Sequence, residues 1–317
     1  MKHLPTICIA VIVCAFCSGA EGATWDVPGD FATIQEAIDS TSVLAGDTIL
    51  AGPGNHSGAY VTKEVQIRGE GGAVINDGPL HPAGLTMGFR LLAGSAGATI
   101  SHLDFTVDLA IMNGDAVNDV TVDHCTFTNT IQAISNWRGS GWQISHNVIT
   151  DLRARNGGGI GILVADFSGG TVKDNVVSHN KINGTMHISA GDCGGYNGSG
   201  IVLYADFRGG GAGALEISNN RVFKNKVSLV AQEDPSAPPT NPIDVAAFEL
   251  TDTRDDVNAD PYPVVFDNAI GFNDFRGTVL QMSFTPTELE AENTISRNLG
   301  DNRGHGLHPS AFGPGGN

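Results

Sequence analysis

Cysteines and basic residues are both scarce in this sequence. The first shortage argues against a disulfide framework, and the second against nucleic acid as a partner. The 317 residues include five cysteines, and 17 Lys and Arg stand against 34 Asp and Glu, for a formal net charge of −17. Association with nucleic acid or with an anionic membrane depends on clustered Lys and Arg. The charge balance therefore argues against nucleic acid as a partner, and an anionic substrate would need a local basic patch or a bridging cation.

Long apolar runs are also missing, apart from one at the N-terminus. Residues 1–20 contain one lysine, then an apolar run of about a dozen residues, then small residues at Ser18 and Ala20, which is the pattern of a secretory signal peptide. The run is short for a membrane span, and no run of about twenty apolar residues follows it. We therefore expect a secreted monomer with no transmembrane segment, extracellular or, in a Gram-negative host, periplasmic.

The cysteines do not form a disulfide framework. Three of the five lie within residues 1–20, so that Cys125 and Cys193 would remain after cleavage of the signal peptide. Cys193 lies in a segment far from Cys125 in the repeat described below, so we expect no bridge between them. We expect Cys125 to pack as a small apolar residue.

One short pattern recurs along the chain: a β-rich stretch, a polar pair, then two apolar residues in alternation. Its copies are SHLDF (101–105), DHCTF (123–127), SHNVI (145–149), KDNVV (173–177), SNNRV (218–222), FDNAI (266–270) and AENTI (291–295). Aligning their third positions gives the row Leu103, Cys125, Asn147, Asn175, Asn220, Asn268 and Asn293, and a second row contains Asn180, Asn225, Asn273 and Asn298. A unit of about 22 residues cannot bury its apolar face alone, so its copies must stack. The repeat predicts an all-β solenoid of parallel strands over residues 46–302, with inserted loops and stacked asparagines at its turns.

Residues 21–45 predict a cap on the open end of this stack. Thr33 and Glu36 have the spacing of a capping box, and Ile34, Ala37 and Ile38 line one side of a short α-helix. With this segment (WDVPGDFATIQEAIDS) and the repeat, the chain resembles the pectin-lyase-like β-helix superfamily over nearly all residues after the signal peptide. The resemblance implies a single right-handed parallel β-helix with a groove along one sheet. Residues 303–317 have no repeat register and are expected to form a C-terminal tail.

Acidic and basic residues are expected to line that groove. The strands that lead to its loops end at Asn113, Asn136, Asp166, Asp206 and Asp252. Arg138, Arg208 and Arg254 follow Asn136, Asp206 and Asp252 by two residues. We interpret Asp166, Asp206, Asp252, Arg208 and Arg254 as candidate catalytic residues, and Arg138, Trp137 and Glu249 as candidate substrate contacts. The strand alternation gives Glu249 outward parity on this sheet.

The spacing of these acids leaves several chemistries open. Carboxylates one coil apart would be about 5 Å from each other and those two coils apart about 10 Å, which suits retaining and inverting glycoside hydrolases respectively. Alternatively Asp166, Asp206 and Asp252 would bind Ca²⁺ through their oxygens. The resemblance to lyases implies that such a cation neutralises a uronate while an arginine removes a proton.

The sequence therefore favours an extracellular carbohydrate-active protein that binds a polysaccharide or other glycan along the groove, as a polysaccharide lyase. One alternative is a glycoside hydrolase with paired aspartates. The other is a non-catalytic surface β-helix protein, because the superfamily contains both enzymes and non-catalytic proteins, and because the signatures of polygalacturonase-like hydrolases are missing.

The direction of the aspartate side chains separates these alternatives. The strand alternation suggests that Val164, Tyr204 and Leu250 point into the coil. Each aspartate lies two residues after one of them, so all three aspartates have inward parity as well. Inward aspartates would be a structural ladder bonded to turn backbone rather than a site.

Three histidines, His102, His124 and His146, repeat every 22 residues and should stack at one turn. The same position in the next coils is expected to hold Asp174, Asn219 and Asp267. Because parallel side chains do not converge on one point as zinc requires, an exposed turn ladder is favoured over a metal site.

Overall fold

The computed structural model describes residues 22–155, 158–167, 169–188, 197–206, 215–233, 244–253, 264–305, 307 and 311–314. The predicted signal peptide, Cys193, Arg208 and Arg254 lie outside these residues. Within them the chain coils through short parallel strands that stack into three long sheets and one short sheet. The stacking confirms the predicted all-β parallel solenoid.

The long sheets are labelled A, B and C in the order in which the chain passes through them in each coil. Sheet A contains β1 (Thr24–Val27), β2 (Thr48–Ala51), β5 (Gln66–Gly69), β8 (Thr99–Ser101), β11 (Thr121–Asp123), β14 (Gln143–Ser145), β18 (Val176–Ser178), β22 (Arg221–Phe223), β26 (Ala269–Gly271) and β28 (Thr294–Ser296). Sheet B contains β3 (Gly54–Ser57), β6 (Ala73–Asp77), β9 (Asp104–Phe105), β12 (Thr126–Thr130), β15 (Val148–Arg153), β19 (Lys181–Ile188) and β23 (Lys226–Glu233).

Sheet C contains β4 (Ala59–Val61), β7 (Met87–Leu91), β10 (Leu109–Asn113), β13 (Gln132–Trp137), β16 (Gly158–Asp166), β20 (Asn197–Ala205), β24 (Asp244–Asp252), β27 (Leu280–Thr285) and β29 (Arg303–Gly304). Sheet D is short and contains β17 (Gly170–Lys173), β21 (Leu215–Ser218) and β25 (Val265–Phe266). Sheet D adds a fourth side to the later coils, between sheets C and A.

The core is a set of apolar columns inside the coil. In sheet A the column comprises Ile49, Ile67, Ile100, Val122, Ile144, Val177, Val222 and Ile270. In sheet C it comprises Phe89, Ile111, Ile134, Ile162, Ile201, Phe248 and Met282. Strand pairing places like residues above one another, as at Phe105 and Phe127, whose rings stack with centroids 4.9 Å apart. Burial of these columns fixes the register, because a slip by one residue would turn each column outward.

Both predicted asparagine rows exist, but the sequence assigned the first three residues to the wrong one. The Asn147 amide donates to Asn180 Oδ1 at 3.0 Å, so Leu103, Cys125 and Asn147 continue into Asn180 and not into Asn175. The row of Asn180 lies at the turn from sheet A to sheet B, and the row of Asn175 lies at the turn from sheet D to sheet A. The error arose because both turns carry the same local pattern, a left-handed residue followed by an inward asparagine.

Each ladder asparagine satisfies backbone groups of the preceding coil with its side chain. Asn220 Oδ1 accepts from the Asn175 backbone N–H at 3.0 Å and from the Asn175 amide at 2.8 Å. The Asn220 amide in turn donates to Val172 O at 3.2 Å and to Asn268 Oδ1 at 2.8 Å. Buried backbone polar groups at the turns are thereby paired.

Cys125 occupies one place in the row of Asn180 and packs as the sequence predicts. It is 1% exposed and lies in the core. Burial raises the pKa of its thiol to about 12, so the thiol stays protonated and inert at neutral pH.

Helix α1 (Ile34–Asp39) packs on the first coils. Thr33 Oγ1 accepts from the Glu36 N–H at 3.1 Å, which is one half of a capping box. The Glu36 carboxylate accepts from the Ala32 N–H at 3.0 Å instead of from the Thr33 N–H. Ile34, Ala37 and Ile38 are fully buried. A second helix, α2 (Leu289–Glu292), precedes β28.

The asparagine ladder gives a prediction about stability. Asn220→Ala removes the acceptor of a buried backbone N–H and of a neighbouring amide, so we expect the free energy of unfolding to fall by about 2–3 kcal/mol. Urea unfolding followed by circular dichroism measures the loss. The control is Asn55→Ala, because Asn55 is exposed and should change stability by less than about 0.5 kcal/mol. Equal midpoints for the two variants would show that the ladder does not stabilise the stack.

Candidate functional site

The predicted row of acids at the end of sheet C is not in register. Asn136 pairs with Val164, and Asp166 pairs with Ala205, which in turn pairs with Asp252. Asp206 therefore lies one residue beyond the position that Asp166 and Asp252 share. The prediction aligned the strands by their polar ends, whereas they pair by their inward apolar positions. Strands β16, β20 and β24 continue beyond the point where Asn136 bonds to Gly139 at the turn.

The side-chain directions of the three aspartates differ. Asp166 and Asp252 have inward parity, as predicted, and are 0% and 1% exposed. Asp206 has outward parity and is partly exposed, because the inward residues of β20 are Ile201 and Leu203 and not Val202 and Tyr204 as the sequence had suggested. Its carboxylate accepts from Thr253 Oγ1 at 3.2 Å.

The outward face of sheet C, where the groove was expected, is apolar and covered. Its residues include Met87, Leu109, Met112, Trp137, Ile160, Leu163, Val202 and Tyr204, and none is more than 2% exposed. Together with Phe312 they form a second hydrophobic cluster outside the coil. Among the described residues, the middle of this face is therefore closed to a ligand.

The cover is formed by C-terminal residues 305, 307 and 311–314. After β29, which pairs with β27, Leu307 O accepts from Thr251 Oγ1 at 3.3 Å. The Phe312 N–H donates to Gln132 Oε1, and the Gln132 amide donates to Phe312 O at 3.3 Å. Further along, Pro314 O accepts from Arg90 Nη2 at 2.6 Å. These described residues thus contact sheet C from β24 to β7, and we call them the C-terminal strap.

The strap was not foreseen from the sequence, although a signal for it existed. Strands β16 and β20 read GGIGILVAD and NGSGIVLYA, with apolar residues at both parities. Continuous apolar runs are typical of strands that are buried on both faces. The pattern therefore indicated a covered sheet, but it did not indicate which segment covers it.

Glu249 lies on this covered face, with the outward parity that was predicted for it. It is fully buried, and its carboxylate accepts from Ser199 Oγ at 2.6 Å and from Thr251 Oγ1 at 2.8 Å. Burial raises the pKa of Glu249, and the bonds from Ser199 and Thr251 oppose this only in part. The Glu249 carboxyl is therefore buried with only neutral hydroxyl donors beside it, and this environment disfavours its charged form.

Trp137 and Arg138 pack against Phe167 at the edge of the same face. The Trp137 ring meets the Phe167 ring edge-on at 5.2 Å, and the Arg138 guanidinium lies 5.4 Å from the Phe167 centroid. Trp137 is 2% exposed. A role in substrate contact would thus require the local cover to move.

The ladder contains four histidines instead of the three expected, and the residues that follow them in the next coils are not the ones expected. His102, His124, His146 and His179 stack with centroids 5.3, 4.8 and 5.0 Å apart. The same position then holds Lys224, Phe272 and Arg297, and not Asp174, Asn219 and Asp267. Asp174, Asn219 and Asp267 belong to the other asparagine row, for the reason given above.

Comparison with known proteins agrees with the fold. A family model described as a right-handed beta helix region matches residues 91–240. A cell surface glycoprotein of Methanothermus fervidus is 24% identical over 277 residues, which is 81% of this chain and 43% of that protein. The chain therefore spans less than half the length of this relative.

Two solved structures are similar in outline only. One is a family 28 exopolygalacturonase of Yersinia enterocolitica, with 12% identity, a TM-score of 0.35 and coverage of 90% of this chain and 78% of that one. The other is a pectin methylesterase in complex with a hexasaccharide, with 13% identity, a TM-score of 0.27 and coverage of 88% and 93%.

Within the described residues, no helix has the length and apolar character needed to cross a membrane. The fold is a right-handed parallel β-helix, as the sequence predicted.

The strap gives a first prediction about this face. Phe312→Ala should lower the free energy of unfolding by about 3 kcal/mol, because it removes a buried ring from the outer cluster. It should also increase the fluorescence of a hydrophobic dye at the uncovered face. The matched control is His305→Ala on the exposed start of the strap. If dye binding and urea midpoint equal those of the control, the strap does not hold the face closed.

Glu249 gives a second prediction, which concerns pH. Because the pKa of Glu249 is raised in the folded chain, the unfolded chain loses the carboxyl proton at a lower pH than the folded chain does. Glu249 therefore destabilises the fold increasingly as the pH rises above about 4. Glu249→Gln keeps partners for Ser199 and Thr251 but carries no charge. We expect the variant to be more stable than the wild type at pH 7 and equal to it near pH 3, by thermal melts across pH. Glu70→Gln, at an exposed site, is the control. A variant that is less stable at pH 7 would contradict the assignment.

Proposed function

We propose that this chain is a non-catalytic extracellular protein in which the right-handed β-helix serves as a rigid surface rod. One observation carries this proposal: the face expected to be an open groove is apolar and is covered by the chain's own strap. Among the described residues, this closed face leaves no room for a polysaccharide along the middle of sheet C. With ten stacked strands in sheet A, the coil would extend about 43 Å at the usual strand spacing.

The buried aspartates support the same proposal. Asp166 and Asp252 have the inward parity expected of a structural ladder. Carboxylates that cannot reach substrate do not serve as the paired acids of a hydrolase. Asp206 is not stacked with them, which also removes the regular spacing that suggested a calcium site.

The relative supports a location at the cell surface. The Methanothermus fervidus protein is named a cell surface glycoprotein, and the N-terminal residues have the pattern of a signal peptide. With its net charge of −17, a rod of this kind would stay soluble and would repel anionic surfaces. We propose that it acts as a monomeric spacer or adhesive module.

A second candidate function is the cleavage of a glycan at the end of sheet C. It is favoured by Asp206, which has outward parity and is partly exposed. In that case Asp206 would be the acid of the site, Arg208 and Arg254 would supply positive charge, and Ca²⁺ could bridge to a uronate.

One experiment separates the two candidates. The secreted chain is incubated with uronate-containing and neutral glycans, with Ca²⁺ and with a chelator, and ultraviolet absorbance and reducing ends are followed. For a non-catalytic rod we expect neither unsaturated ends nor new reducing ends. Turnover by the wild type that is lost in Asp206→Asn and kept in the exposed control Asp39→Asn would overturn the rod and establish the second candidate. Unsaturated ends would indicate a lyase, and reducing ends alone a hydrolase.

A further inference from the structure

The backbone of the sheet A to sheet B turn holds the histidine ladder in place. His102, His124, His146 and His179 have φ between 53° and 58°. Each of their N–H groups donates to a carbonyl of the next coil at 3.3 Å. Because backbone geometry repeats from coil to coil, the rings are stacked within 14° of parallel. Stacking alone, however, leaves the ring nitrogens in parallel rows, which do not converge on one ion.

One residue breaks the regularity of this turn. The position before each histidine is occupied by Ser101, Asp123, Ser145 and Ser178 in successive coils. Asp123 thus places a single carboxylate beside a column of imidazoles. Its two neighbours in the column, Ser101 and Ser145, carry no charge.

The Asp123 carboxylate draws two of the imidazoles toward a common point. His124 Nδ1 lies 2.5 Å from Asp123 Oδ2, and His146 Nδ1 lies 3.1 Å from Asp123 Oδ1. Ser145 Oγ donates to Asp123 Oδ1 at 2.7 Å and orients the carboxylate. All three potential ligand atoms lie within 4.8 Å of one another. The convergence that parallel projection could not supply comes from this carboxylate.

The three groups are accessible to solvent. The His124 and His146 side chains are 52% and 49% exposed, and the Asp123 side chain is 26% exposed. Two ligands on one zinc ion, each about 2.1 Å from it, lie about 3.4 Å apart. Exposed imidazoles need to move by about an ångström to reach that separation, and water can complete the coordination.

We propose that Asp123, His124 and His146 form a binding site for one divalent transition-metal cation. Two imidazole nitrogens and one carboxylate oxygen are ligands that Zn²⁺, Ni²⁺ and Cu²⁺ accept, whereas Ca²⁺ and Mg²⁺ prefer all-oxygen sites and bind imidazole poorly. The site lies on a turn between sheets A and B, away from sheet C, so it is independent of the proposed surface role. The competing interpretation is that Asp123 only accepts hydrogen bonds from the two rings.

The test is titration of the untagged chain with Zn²⁺ in a calorimeter, repeated with variants suited to this turn. His124→Asn and His146→Asn keep a residue that tolerates left-handed φ, and Asp123→Ser gives this coil the serine of its neighbours. We expect saturable binding of one Zn²⁺ per chain, weakened about tenfold or more by each substitution. The matched control is His102→Asn, at the same turn and stacked on His124, which should keep wild-type affinity.

A second measurement does not depend on how well the variants fold. Co²⁺ added to the wild-type chain should develop visible absorbance that Zn²⁺ abolishes and Ca²⁺ leaves unchanged. Absence of saturable Zn²⁺ heat and of Co²⁺ absorbance would overturn the proposal and leave Asp123 as a hydrogen-bond acceptor. Equal loss of affinity in His102→Asn and His146→Asn would also overturn it, because binding would then belong to the ladder as a whole.

Discussion

The whole structure depends on how its turns satisfy buried backbone groups. A coil of short strands bends sharply at every corner, and there the backbone N–H and C=O groups face the interior rather than water. An unpaired buried group costs about 1–3 kcal/mol, so a stack of many coils could not tolerate one such group at each corner. Stacked asparagines solve this repeatedly: Asn180, Asn225 and Asn273 each accept from the preceding coil and donate to the next. Where Cys125 replaces asparagine, its N–H still donates to Asn147 Oδ1 at 2.9 Å.

The repeat could be predicted from the sequence because its causes are local. The spacing of the asparagines and the apolar alternation around them established the solenoid, the parallel strands and the two ladders. The position of Asn147 could not be predicted, because the turn into sheet B and the turn into sheet A use the same pattern, a left-handed residue followed by an inward asparagine. Only the presence of sheet D in the later coils distinguishes them, and sheet D arises from pairing between strands 45 residues or more apart, such as Val172 with Ile217.

The candidate site was predicted less well, since it depends on long-range packing. The prediction aligned Asp166, Asp206 and Asp252 because each ends a strand. Strands pair by their buried apolar columns instead, so the polar end of one strand can extend one residue beyond that of its neighbour at little cost in free energy. Outward parity was correctly assigned to Glu249, but inward parity was wrongly assigned to Tyr204, in a strand where apolar residues occupy both parities. The strap over sheet C joins Phe312 to Gln132, a separation of 180 residues, and no local pattern in the sequence encodes such a contact.

The strap also explains why recognition by this molecule should be sought at its corners rather than on sheet C. An apolar outer face such as that of Leu163 and Val202 would associate with other chains if it were bare. By covering it, the C-terminal strap turns a potentially adhesive sheet into a second core. The partly exposed Asp123 and the exposed His124 and His146 instead bring directed polar chemistry together at a turn, where left-handed residues project from the stack. At one such turn a single carboxylate, Asp123, changes a stack of imidazoles from a repeated structural feature into a group of converging ligands, and this local departure from the repeat is what distinguishes a site from a ladder.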